Sequence, residues 1–239
     1  VLEGGQTLVP TMKQHLAAPS GLIDIRALTE LQGVCIKGDA LVVGAATRHA
    51  DVALHTDVRT HIPALARLAG GIGDPAVRAM GTIGGSLANN DPSACYPAAA
   101  LALNATIITD RREVDADAFF AGMFATDLDE DEIITSVRFP IPETAAYAKF
   151  PNPASRYAMV GVFVAVLDGD VRVAVTGAGE DGVFRHQGLE AALASSFTSD
   201  AVDGVDVSEE ELMSDLHGSA AYRAQLIKVM AKRAVIAAG

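Results

Sequence analysis

Glu3-Gly4-Gly5-Gln6-Thr7 and Gly81-Thr82-Ile83-Gly84-Gly85-Ser86 are two glycine-centred bends, each flanked by hydroxyl or amide side chains. A backbone without side chains can approach an anion closely, and glycine permits the positive φ angles that aim successive N–H groups at one point. Thr7, Thr82 and Ser86 add hydroxyl donors. Neither bend fits the GxxxxGK[ST] pattern that brings a lysine to a γ-phosphate, and neither makes the strand-GxGxxG-helix fingerprint of a Rossmann dinucleotide site. Together the two bends read as a cradle for a diphosphate, gripped by backbone amides.

The rest of the composition is consistent with local anion binding. The chain has 239 residues, half of them apolar and 20% charged, enough to build one large core or two smaller ones. Its formal net charge of −12 argues against nucleic acid or an anionic membrane as partner, since both repel an acidic surface. Cys35 and Cys95 lie far apart without CxxC or Cys/His spacing, which disfavours a zinc or iron–sulfur site in this chain and points to a reducing cytoplasm. The longest apolar run, around Ala98 to Ile108, carries Asn104 and is too short to span a bilayer; there is no signal peptide.

Along the chain, Leu8 to Leu16 suggests a short helix and Gly21 to Ile25 a brief strand. Val34 to Ile36 and Leu41 to Val43 read as a hairpin across Lys37-Gly38-Asp39. Thr47 is an expected N-cap for a helix over His49 to His55, and Ile62 to Ala69 has a second helical period. Pro97 to Leu103 reads as a helix, with Ala105 to Thr109 and Glu113-Val114 as paired strands. Ile133 to Phe139 alternates as a strand, ended by Pro140-Ile141-Pro142, where we place the boundary between domains 1–140 and 141–239. Met159 to Leu167 and Val171 to Thr176 flank Asp168-Gly169-Asp170, suited to a type I′ hairpin. Val183 to Arg185 is a further strand, and Gln187 to Leu193 and Ala220 to Ala238 are helical, the latter with Leu226 and Met230 inward and its Arg and Lys wet or at a partner. Strands and helices are interspersed, so the class is α+β.

The side chains offer little independent chemistry. The six histidines read as exposed or capping, Cys95 as a small buried apolar residue, and Asp127 to Glu132 as a solvated loop. No Ser/His/Asp or paired-carboxylate constellation stands out.

The motifs, in combination and order, resemble the medium, flavin-binding subunits of the xanthine dehydrogenase and carbon monoxide dehydrogenase family. Glu3 to Pro10 with Met12-Lys13 is similar to that family's first FAD loop. Ile72-Gly73-Asp74-Pro75 through Arg78, Gly81 to Ser86 and Asn89-Asn90-Asp91-Pro92 are similar to its second. Ala121 to Phe124, Glu132 to Ile134, and Ser214 to Ser219 with Tyr222-Arg223 extend the likeness to nearly the whole chain. The resemblance implies a PCMH-like, non-Rossmann fold, with two α+β subdomains gripping an extended FAD and a C-terminal three-stranded antiparallel sheet with helices.

Carried over by position, Gly4, Gly5, Gln6 and Thr7, with Leu8 and Val9, would wrap the diphosphate and ribityl. Thr82, Ile83, Gly84, Gly85 and Ser86 would close the other side. Ile72, Gly73 and Ile134 fall where the family packs against the cofactor. The family often has aspartate where this chain has Cys95, and many relatives have a lysine at about Pro151, for which Lys149 is the nearest candidate, on the same face of a strand. The family has about one more βα unit before the first loop, so the expectation is a chain shortened at its N-terminus.

By the same resemblance, the chain is an electron-relay subunit of a molybdenum hydroxylase. A small subunit with two [2Fe–2S] clusters would deliver electrons from a molybdopterin large subunit, and an external acceptor such as NAD⁺, a quinone or oxygen would take them. The alternatives are a stand-alone FAD oxidase or reductase, and an FAD-free assembly module of the same fold.

Overall fold

The protein is described by a computed structural model covering residues 1–239. In chain order, α1 (Leu8–Lys13) follows the first glycine bend, and β1 (Val34–Lys37) and β2 (Ala40–Gly44) form a hairpin. Helices α2 (His49–Leu54), α3 (Thr56–His61) and α4 (Pro63–Gly70) come next, then α5 (Pro75–Arg78), α6 (Ile83–Asn89) and α7 (Tyr96–Ala102). β3 (Thr106–Thr109), β4 (Glu113–Asp115), α8 (Ala116–Phe119), the small hairpin β5 (Phe120–Gly122) and β6 (Ala125–Thr126), and β7 (Ile134–Pro140) follow. The remainder is β8 (Thr144–Pro151), β9 (Ala158–Leu167), β10 (Asp170–Gly179), β11 (Gly182–Arg185), α9 (Gln187–Ser195) and α10 (Ala220–Ala238).

Two antiparallel sheets organise these elements. The first has the order β1-β2-β7-β3-β4, with Val137 at the centre paired to Val43 on one side and Ile107 on the other. The second has the order β11-β10-β9-β8. Its four strands correct the three-stranded expectation. The additional strand, β8, reads Thr-Ala-Ala-Tyr-Ala-Lys-Phe-Pro, and its alanines carry neither β-branching nor alternation to announce a strand.

The second sheet is covered on both faces, which explains the nearly unbroken apolar run of β9. Val160, Val162 and Val164 join one core with Leu189 and Leu193 of α9 and Ile227 and Met230 of α10. Phe163 and Ala165 point the other way, into the core built by the first sheet with α4 and α7. Leu226 and Met230 are buried as their spacing predicts. At Gly161 even a methyl group would collide with the Tyr147 hydroxyl, so this strand tolerates no larger residue there.

Several local expectations change. Residues 21–25 are not a strand: only a single parallel bridge joins Leu2 to Asp24. Thr47 does not cap α2, whose N-cap is Arg48; its hydroxyl instead bridges the N–H and C=O of Gly33 at 2.9 and 3.0 Å. The Asp168-Gly169 turn has φ values of +50° and +81°, the left-handed pair that a type I′ hairpin needs. His55 and His186 do act as caps, accepting from Asp57 N–H and Leu189 N–H.

Arg223 departs furthest from expectation. It is only 3% exposed, and its guanidinium donates to the carbonyls of Met159 and Gly177 at 2.7 Å each and to both Asp215 oxygens at 2.9 Å. It ties α10 to β9, β10 and the Asp215 turn. Replacing it with leucine leaves two carbonyls without this donor and the Asp215 carboxylate with only the N–H groups of His217 and Gly218, so Arg223→Leu is expected to cost about 3 kcal/mol of unfolding free energy, measured by urea denaturation.

Candidate functional site: a cleft between two glycine bends

The two bends meet. A Cβ placed on Gly4 would lie 2.9 Å from the Gly81 Cα and 3.0 Å from the Thr82 nitrogen, so the backbones touch where neither has a side chain. Gly5 has φ +68°, which turns the chain out of the bend and into α1. The N–H groups of Gly4, Gly5, Gln6, Thr7 and Leu8 donate to no protein acceptor. Five consecutive unpaired amides beside bare backbone are a ready site for negative charge.

The second bend contributes differently from the first. Ile83 N–H donates to Thr47 O, Gly84 N–H to Ala45 O, Ser86 N–H to Thr82 O, and Gly85 N–H to the Thr82 hydroxyl at 3.2 Å. Apart from that of Thr82, its amides are therefore engaged within the fold. What it offers is a surface without side chains, along with the Thr82 and Ser86 hydroxyls.

These bends open into a cleft of about 920 Å³, within the range of cofactor sites. Of the expected site residues, Gly4, Gly5, Gln6, Thr7 and Leu8 line it on one side and Thr82, Gly84, Gly85 and Ser86 on the other; Ile72, Gly73, Cys95, Ile134 and Lys149 also line it. Two do not. Ile83 is fully buried in the first core, and Val9 lies outside the lining, because α1 turns it away.

Conserving motifs are not needed to see why the other residues stand where they do. Arg78 donates to the carbonyls of Ile72 and Gly73 at 2.9 and 3.1 Å, while Asp74 caps α5 by accepting from Val77 N–H; Gly73 has φ +50°. Asn90 ends α6 in the left-handed region, and its amide donates to Gly122 O and Ala125 O, fixing the β5–β6 hairpin. Pro92 O accepts from Gly177 N–H and the Thr176 hydroxyl, which joins the loop after α6 to the second sheet. Lys149 reaches from β8 to Gly71 O at 2.6 Å and Arg156 O at 3.2 Å, with Cys95 Sγ 3.7 Å away. Its charge helps close the cleft wall.

Four lining residues escaped the sequence reading. His49 is not exposed: its ring packs against Gly81 and lies 5.3 Å from the Tyr96 ring. Burial, aided by the Arg78 charge, lowers its pKa to about 4, so it is neutral. Tyr157 and Arg156 come from the loop after β8, where no motif marks them. Glu3 sits inside the first motif, and an acid in an anion-binding bend was the signal available to find it.

Glu132 is the other correction, since the run Asp127 to Glu132 is not simply solvated. Its buried carboxylate accepts from Arg112 Nε and Nη2 at 2.9 Å each, from the Thr109 hydroxyl at 2.7 Å and from Asp129 N–H at 2.9 Å. These bonds, Arg112 foremost, hold its pKa down to about 2. They also anchor the segment that carries Ile134 to the cleft.

Residues 1–142 match the family described as "FAD binding domain in molybdopterin dehydrogenase". The chain is 34% identical over 253 residues to the carbon monoxide dehydrogenase medium chain of Hydrogenophaga pseudoflava, covering all of this chain and 88% of that one. It is also 34% identical over 256 residues to the nicotine 6-hydroxylase medium subunit of Paenarthrobacter nicotinovorans, covering all of this chain and 89% of that subunit. The crystal structure of a Cu,Mo-CO dehydrogenase superposes with a TM-score of 0.91 at 29% identity, over 99% of this chain and 88% of that one. The fold is that of an FAD-binding oxidoreductase subunit, and the chain belongs to the family of FAD-binding medium subunits of the molybdenum hydroxylases. Its cofactor is FAD.

Two outcomes follow from the site. A Cβ on Gly85 would project between the Thr82 hydroxyl at 3.0 Å and Gly4 N at 4.0 Å, into the cradle. Gly85→Val is expected to weaken FAD binding roughly a hundredfold or more, on the order of 3 kcal/mol, measured by flavin fluorescence titration. Because the Glu132 pKa is depressed on folding, its contribution is present above the ordinary carboxylate range and is lost as pH falls toward about 2. Urea unfolding followed by circular dichroism should show the native chain losing stability as pH falls from about 5 toward about 2, and Glu132→Gln, already less stable at neutral pH, should lose less over that range.

Proposed function

We propose that this chain is the electron-relay subunit of a molybdenum hydroxylase, holding FAD between a partner's iron–sulfur clusters and an external acceptor. The observation that carries the proposal is the run of five unpaired amides, Gly4 to Leu8, facing the bare backbone of the second bend across one cleft. When bound, FAD supplies a redox centre that accepts electrons singly and gives them up as a pair.

The chain's own work is binding and orientation. Residues 4–8, with Thr82, Gly84, Gly85 and Ser86, hold the diphosphate. Ile72, Gly73 and Ile134 supply packing for the rest of the cofactor, and Lys149 of β8 and the neighbouring Cys95 stand on the cleft wall. Residues 1–140 form the FAD-binding domain and 141–239 the C-terminal domain, joined at the short link between β7 and β8. The likeness to a carbon monoxide dehydrogenase medium chain and a nicotine 6-hydroxylase medium subunit supports assembly with a small and a large subunit. The small subunit carries the [2Fe–2S] clusters, and the large one carries molybdopterin and oxidises the substrate. The acceptor is NAD⁺, a quinone or oxygen.

The purified chain should be yellow and release FAD on denaturation. Carbon monoxide, aldehydes and heterocycles should leave its flavin oxidised, as followed by absorbance, until the partner subunits are added. A colourless chain that cannot be reconstituted would identify an FAD-free assembly module. Bleaching by a small substrate without partners would identify a stand-alone oxidase.

A further inference from the structure

Glu3 brings negative charge to the mouth of a loop whose free amides prepare a site for an anion. Its Oε1 is buried without a hydrogen-bond partner. The carboxyl group presses on the second bend: Oε1 lies 2.9 Å from where a Cβ of Gly84 would stand, and Oε2 lies 3.4 Å from that of Gly85. It therefore borders the same bare backbone that the diphosphate must approach.

No cation neutralises it. The second bend offers the Thr82 hydroxyl, and α2 offers His49, which is neutral. From α5, the Arg78 guanidinium is engaged by the carbonyls of Ile72 and Gly73, and Asp74 adds negative charge to the cleft, as does Asp91 from the loop after α6. Lys149 from β8, bonded to two carbonyls, and Arg156 from the loop after it also line the cleft, and neither pairs with Glu3. An ionised Glu3, packed on the glycines of the second bend, would thus repel a diphosphate held at the two bends.

We propose that Glu3 is a proton-carrying contact of the diphosphate site, neutral when FAD is bound, so that cofactor binding takes up one proton at its carboxyl group. This deepens the FAD reading and rests on it. Burial already raises the Glu3 pKa to about 7, against a smaller downward pull from the Thr82 hydroxyl. A bound dianion raises it further, because a neighbouring negative charge favours the neutral acid. The sign follows from linkage: below that pKa the carboxyl is protonated before binding and affinity is independent of pH, whereas above it affinity falls, by up to about tenfold per pH unit.

The test uses the full chain freed of flavin and titrated with FAD by fluorescence at about pH 6 and about pH 8.5, native and Glu3→Gln, with proton uptake measured calorimetrically in two buffers of different ionisation enthalpy. The native chain should bind about tenfold or more weakly at the higher pH and take up close to one proton there. Glu3→Gln should change less than about twofold across the range and take up none. FAD binding without pH dependence or proton uptake in the native chain overturns the inference while leaving the FAD reading intact, and so does the same slope in both proteins. A folded native chain that binds no FAD at any pH overturns both. Should Glu3→Gln fail to fold, proton uptake by the native chain decides alone.

Discussion

The contact between Gly4 and the Gly81–Thr82 backbone is the constraint from which the site follows. Two chain segments far apart in sequence come within van der Waals distance because neither carries a side chain at the crossing, and a single methyl at Gly4 would force them apart. Around that crossing the amides of residues 4–8 stay free, since the loop has turned away from any strand or helix that could accept from them. Gly4 is buried, Gly5 and Leu8 are half-buried and Gln6 and Thr7 are exposed at the cleft. A site that leaves five together is organised for a ligand that accepts from them.

The second bend meets its obligations in the opposite way. The amides of Ile83, Gly84, Gly85 and Ser86 are bonded to Ala45, Thr47 and Thr82, so it forms a wall held by the fold beside the free amides of the first loop. Division of labour between a wall and a set of donors suits an extended cofactor, which needs both a fixed trough and specific anchoring points. The rest of the cleft is supported from a distance: Arg78 sets the turn at Ile72-Gly73, Glu132 with Arg112 anchors the approach to Ile134, and Thr176 ties the loop after α6 to the second sheet.

Charge distribution adds a second theme. The chain is strongly acidic, and its cleft includes Glu3, Asp74, Asp91 and Glu132 among its walls. The cations at the cleft are few, Lys149 and Arg156 on its wall and Arg78 behind the Ile72-Gly73 turn, with Arg78 and Lys149 bonded to carbonyls of the fold. Backbone dipoles, which act over short distances and only from a fixed geometry, supply the donors nearest the two bends.

Much of the architecture was legible in the residues. The hairpins across Lys37-Gly38-Asp39 and Asp168-Gly169, the α4, α7 and α10 helices and the two glycine bends follow from local rules, because turn chemistry and apolar period act over a few residues. β8 was not legible, since an alanine-rich segment becomes a strand only when β9 supplies its partner. The burial of Arg223, His49 and Glu132 was hidden for the same reason: a polar side chain in a sequence carries no mark of the carbonyls, rings or guanidinium that will surround it. The sequence by itself determined that two bare-backbone bends exist and that an anion suits them. Tertiary structure decided that they touch, that the first keeps a run of five amides free while most of the second's are engaged, and that the Glu3 carboxyl group packs on the second bend, because hydrogen-bond partners and burial are properties of segments brought together from distant parts of the chain.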